Sequence, residues 1–205
     1  WGRGYSDLAL LIEDALNDGV DVITTSSSYP DNYEGMRWAL ARAIASKVPV
    51  VACVGNESTS NSTDWLPAWG GVVGVGAIET NGRPSDYENW GRPLSTAALA
   101  RPLARSGVSQ QRGEWWGTSF ATPVVAGSLA LSMQRWPNAT GNQIMQGLAR
   151  TGVGGNGGEW NQYTGYGALD IYAMLTTNPT TFPDENPFMD KGTKTVPSRQ
   201  DVQDY

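Results

Sequence analysis

Ser119 is the residue whose setting most suggests covalent chemistry. It stands in the run Gly117-Thr118-Ser119-Phe120-Ala121-Thr122-Pro123, directly before a long apolar stretch with helical character. A serine hydroxyl is a poor nucleophile until a neighbouring base takes its proton, and that base is usually histidine. The chain contains no histidine. A Gly-Thr-Ser before a helix is also an ordinary capping sequence, so the run alone does not specify a reaction.

A second polar residue closes an apolar run: Val50-Val51-Ala52-Cys53-Val54 passes through Gly55 into Asn56. Gly-Asn after a strand usually marks a turn and nothing more. Paired with a nucleophile, the same amide gains a use. Attack on a carbonyl creates an oxyanion, and a side-chain N–H aimed at it stabilises the transition state. Loss of one such donor costs about 100- to 1000-fold in turnover.

The surrounding elements alternate. Leu8, Leu11, Ile12, Ala15 and Leu16 recur at helical spacing, and Asn17-Asp18-Gly19 stops that helix. Residues 20–25 read as a short β-branched strand leading into Ser26, Ser27 and Ser28. A helix over 33–46 turns Met36, Leu40, Ala43 and Ile44 inward, and strands follow over 49–54 and 72–78. Unbroken apolar strands between amphipathic helices predict an α/β fold, a parallel sheet covered on both faces. Residues 79–115 read as turns and short strands. Beyond them come a helix over 121–136, with Pro123 in its first turn, and a helix over 141–150. Thr140 and Gln143 form a capping box for the second of these. A Gly-rich loop (152–158) and a last short helix ending at Leu175 complete the pattern. Residues 178–205 are polar and aperiodic, and are expected to form a disordered tail or linker.

Composition narrows the class. The 205 residues suffice for one domain with a real core, and the net charge of −6 argues against nucleic acid or a membrane surface. One cysteine, Cys53, excludes an internal disulfide framework. No apolar run approaches the roughly 20 residues of a membrane span. Asn61-Ser62-Thr63 and Asn138-Ala139-Thr140 match the short N-glycosylation pattern. No cofactor signature is present.

Three ordered segments resemble the subtilisin-like serine proteases (subtilases, peptidase family S8). Gly117 to Pro123, followed by Val124-Val125-Ala126-Gly127, is similar to the family's serine motif and its helix. Val50 to Asn56 is similar to the strand ending in the family's oxyanion-hole asparagine. Asp21-Val22-Ile23-Thr24-Thr25-Ser26 is similar to the strand bordering its substrate groove. Val73-Gly74-Val75-Gly76-Ala77 and Gly165-Tyr166-Gly167-Ala168-Leu169-Asp170 support the match. The resemblance implies the C-terminal part (1–177) of a subtilisin-like three-layer catalytic domain. On that basis Ser119 and Asn56 would be catalytic, and Ser26, Ser27, Ser28, Val54, Gly55 and Thr118 would line the substrate. The family often continues its groove strand with Leu-Gly, where this chain has Ser27-Ser28, so the resemblance leaves the pocket's size open. Residues 1–4 would be a remnant of the opposite groove wall. The resemblance also implies structural calcium, peptide or protein substrates, and a secreted or cell-surface setting. The polar Pro-containing tail resembles that of the mycosins, which adds the expectation of a membrane anchor outside this chain.

Subtilases place their aspartate and histidine before the serine, so both would precede Trp1. This implies a fragment that is inactive alone and exposes a sheet edge. The α/β-hydrolase order does not fit, because no base follows Ser119 and Ala121 breaks the Gly-x-Ser-x-Gly elbow. Two alternatives stay open. One is a sedolisin-type acid peptidase, although that family places aspartate at the oxyanion position. The other is a non-catalytic subtilase-like domain that binds peptides or partners.

Overall fold

The computed structural model describes residues 4–27, 29–61, 64–101, 103–105, 111–155, 159–191 and 196–205. Its centre is a four-stranded parallel sheet in sequential order: β1 (Ile23–Thr25), β2 (Val50–Cys53), β3 (Val73–Ile78) and β4 (Thr96–Leu99). Registers pair Thr24 with Val51, Ala52 with Gly74, and Gly76 with Ala97. A separate antiparallel hairpin joins β5 (Leu103–Arg105) to β6 (Arg112–Glu114).

Alternation along the strands divides the core in two. Val51, Val73, Val75 and Ala77 face α3 (Thr118–Arg135), meeting Ala121, Val125 and Leu129. The helices α4 (Gly141–Thr151) and α5 (Ile171–Thr176) complete this layer with Ile144, Met145, Leu148 and Met174. Val50 and Ala52 face the other way, onto α1 (Asp7–Asn17) and α2 (Glu34–Ala45), where Ile12, Met36 and Leu40 are buried. Helices on both faces of a parallel sheet form the α/β, three-layer arrangement that the sequence predicts. Leu11 departs from its expected place on the buried stripe and is 63 % exposed.

Local signals account for most boundaries. Ser6 caps α1 by accepting the Ala9 N–H, and Thr140 with Gln143 forms the expected capping box on α4. That box occupies Thr140 of the second glycosylation triplet, while Ser62 and Thr63 of the first lie outside the described residues. In β3 the valines alternate with glycines, and the bare face lets another segment approach. A Cβ on Gly76 would lie 2.4 Å from the Glu88 carboxylate.

Two elements differ from the sequence reading. The helix bearing Ser119 begins at Thr118, so Pro123 is its sixth residue and lies in the second turn. Proline there lacks the N–H that would bond the Ser119 carbonyl. The hydroxyl of Ser26 donates to that carbonyl instead, at 2.8 Å. The helix therefore keeps its proline because a side chain from another element replaces the missing donor.

Residues 178–205 are the larger difference. Instead of a disordered tail, their described part packs onto the domain, with a 3-10 turn at Pro179–Thr181 and a short helix α6 (Arg199–Gln203). Phe188 joins the α3-side core and lies 5.9 Å from the Tyr166 ring. The Phe188 carbonyl accepts the Gly71 N–H at 2.9 Å, and Asn186 Nδ2 donates to the Gly71 carbonyl at 2.9 Å. Lys191 is buried and donates to the carbonyls of Pro67 (2.8 Å), Pro93 (3.0 Å) and Val72. Arg37 pairs with Asp201, which also completes a capping box with Ser198. Isolated anchors of this kind leave no periodic trace in a sequence.

Candidate active site

The site forms at the C-terminal edge of the sheet, where α/β folds gather their ligands. β1 delivers Ser26, β2 delivers Val54, Gly55 and Asn56, and the N-terminus of α3 delivers Thr118 and Ser119. Ser119 is partly exposed. Its Oγ donates to the Ser26 carbonyl at 3.3 Å, reciprocating the bond from Ser26 Oγ to the Ser119 carbonyl. The nucleophile candidate is thus tied in both directions to the end of β1.

Asn56 is joined to the same helix start. Its Oδ1 accepts the Thr118 N–H at 2.8 Å and the Thr118 hydroxyl at 3.1 Å. With the oxygen committed to Thr118, the amide's remaining capacity is its Nδ2 donor. Thr118 is buried and clasps Gly55, accepting that residue's N–H at 3.2 Å. Gly55 holds φ at +104°, which a side chain would strain, and this turns the chain sharply out of the sheet. The first turn of a helix leaves N–H groups without intrahelical acceptors, and Thr118 gives its own to Asn56. Ser119 follows Thr118 directly, so its N–H is the next of these groups along the helix.

Of the proposed lining residues, Val54 is buried and its N–H bonds the Val75 carbonyl at 3.1 Å. Ser27 turns its N–H back to the Thr25 hydroxyl at 3.2 Å. Ser28 lies outside the described residues, as do residues 1–3 of the suggested opposite wall. Cys53 is buried at the end of β2. Among the described residues no three His, Cys, Asp or Glu side chains converge on a position suited to a metal ion.

Two residues that frame the site escaped the sequence reading. Tyr87 accepts the Gly117 N–H on its hydroxyl at 3.3 Å and lies 4.9 Å from the Trp116 ring. Asn89 is buried against the turn that carries Asn56. Both come from an irregular loop, where no spacing rule marks a single polar residue.

Comparison with known proteins shows the family of the chain. The subtilase family model matches residues 2–167. Subtilisin DY of Bacillus licheniformis is 31% identical over 172 residues, covering 82% of this chain and 62% of its own length. Subtilisin E of Bacillus subtilis is 30% identical over 173 residues, covering 82% of this chain and 44% of its own. The crystal structure of MycP1 with its N-terminal propeptide removed superposes with a TM-score of 0.73 at 25% identity, covering 87% of this chain and 68% of that one. The chain thus spans 62% and 44% of the length of these two curated relatives. With the serine motif, the strand-end asparagine and the sheet order all in place, the chain belongs to the subtilase family of serine proteases.

Proposed function

We propose that this chain carries the nucleophile and oxyanion-binding half of a serine endopeptidase that cleaves peptide bonds through an acyl-enzyme on Ser119. The observation that carries this reading is the junction at the start of α3. There Asn56 Oδ1 accepts the Thr118 N–H at 2.8 Å, which ties Asn56 to the residue directly before Ser119.

In the first half-reaction Ser119 Oγ bonds to the scissile carbonyl carbon and its proton passes to a base. The carbonyl oxygen takes the negative charge, facing the Ser119 N–H and Asn56 Nδ2. The C–N bond then breaks, the proton goes to the departing amine, and an ester remains on Ser119. Water hydrolyses that ester by the same steps in reverse. With no histidine among the 205 residues, the reading assigns the base and its orienting aspartate to residues outside this chain. It follows that the 205-residue chain is inactive by itself. Asparagine at position 56 supports the subtilase chemistry over the sedolisin alternative. Peptides or proteins are the proposed substrates, met outside the cytoplasm. Among the described residues no helix is long and apolar enough to cross a membrane.

Peptide hydrolysis by the whole protein carrying this chain is the test. Ser119→Ala should lower turnover by about 10⁴-fold or more. Turnover by the 205-residue chain alone, abolished by the same change, would overturn the assignment of the base. A whole protein that binds peptides without Ser119-dependent turnover would support the non-catalytic reading.

A further inference from the structure

Asn56 cannot act as a donor unless the turn that carries it is held still, and the sheet does not hold it. Residues 55–59 lie beyond the end of β2, and Ser58 sits in the left-handed region with φ +51°. Such a turn keeps its shape only if neighbouring groups fix it.

Those groups come from residues 85–89. Asn89 is 1 % exposed, and all four of its side-chain hydrogen-bonding positions are used on the turn. Nδ2 donates to the Val54 carbonyl at 3.1 Å and to Glu57 Oε2 at 2.6 Å. Oδ1 accepts the N–H groups of Glu57 at 3.1 Å and Thr59 at 3.2 Å. The Asn89 N–H bonds the Gly55 carbonyl at 3.2 Å. Glu57 Oε2 in turn accepts the Asn56 N–H at 2.9 Å. Every residue flanking Asn56 is therefore gripped directly, and Asn56 itself through Glu57.

The same loop reaches the other half of the site. Tyr87 takes the Ser58 N–H on its carbonyl at 3.0 Å and the Gly117 N–H on its hydroxyl at 3.3 Å. Its base is anchored on β3: Glu88 Oε2 accepts the Ala77 N–H at 2.6 Å, and Ser85 N–H bonds the Ala77 carbonyl at 2.9 Å. The bare face of Gly76 makes room for Glu88.

We propose that Asn89 is the positioning residue of the oxyanion donor, and that residues 85–89 set the gap between Asn56 and Ser119. This rests on the peptidase reading above. Asn89 touches no substrate; it acts through Asn56. An aspartate of the same shape would not substitute, because its oxygens would face the Val54 carbonyl and the Glu57 carboxylate, both acceptors.

A double-mutant cycle in the whole protein tests the kinetic consequence. Asn89→Ala should lower kcat by about 10- to 100-fold while KM changes by less than about twofold, since only the transition state carries the oxyanion. In an Asn56→Ala background the same change should cost less than about twofold more, because the donor it positions is gone. An equal loss in both backgrounds, or a loss carried by KM, would overturn the proposal. If the parent protein shows no Ser119-dependent turnover, the peptidase reading fails separately, and amide exchange on the 205-residue chain decides the role of Asn89. There Asn89→Ala and Asn89→Asp should speed exchange of the Asn56, Glu57 and Thr59 amides by about tenfold or more and leave the β2–β3 ladder unchanged. Unchanged exchange in the turn, or acceleration throughout the sheet in both variants, would overturn it.

Discussion

Pro123 takes one N–H from α3, and the hydroxyl of Ser26 makes good the loss at the Ser119 carbonyl. This substitution joins the peptide unit of Ser119 to the end of β1. Ser26→Ala should therefore destabilise the fold by about 1 kcal/mol, the usual worth of such a bond, as read by denaturant unfolding. Pro123→Ala returns an N–H to the ladder, so the double variant should lose less than Ser26→Ala does alone. Equal losses in the two backgrounds would show that the hydroxyl is not replacing the missing donor. At this scale the sequence was informative where residue type and position were both distinctive. Ser119 and Asn56 stand out as candidates because each lies within a few residues of the end of a regular element. Tyr87 and Asn89 do not, because their work depends on a loop path that no local pattern encodes.

At the scale of elements, helices with caps and strands with branched residues were legible. β4 was not: Thr96-Ala97-Ala98-Leu99 has little intrinsic preference for a strand, and its pairing with β3 decides the matter. The loop between β3 and β4 carries a buried acid with a measurable consequence. Burial pushes the Glu88 carboxyl up to about 8, and the Ala77 N–H only partly offsets this. A carboxyl raised in the folded state contributes stability that is whole below its ordinary value near 4.5 and declines as pH rises through about 8. Melting temperature should accordingly fall across that interval in the parent. Glu88→Gln, which stays neutral, should flatten this part of the profile. Identical profiles for the two proteins would show that Glu88 does not titrate in the native state. Lys191 acts in the opposite sense. Burial lowers its ammonium to about 7, so its contribution improves with rising pH above that value, and only the difference between the two profiles isolates Glu88.

For the molecule as a whole, the described part of 178–205 completes the core instead of trailing from it. Lys191 gives three backbone carbonyls their partner. Lys191→Met keeps the stem but strands those acceptors, and should cost about 3 kcal/mol in a denaturant titration. Arg37 holds the Asp201 carboxyl down to about 2, so that anchor should persist until the pH falls through the range between about 4 and 2. If the proposed peptidase activity holds, each molecule in solution is surrounded by copies of itself, and each copy is a peptide within reach. Cleavage requires a stretch of chain that can lift away and extend. Phe188, Lys191 and Asp201 hold this segment down, so the contacts that finish the core would also keep its peptide bonds out of reach of a peptidase.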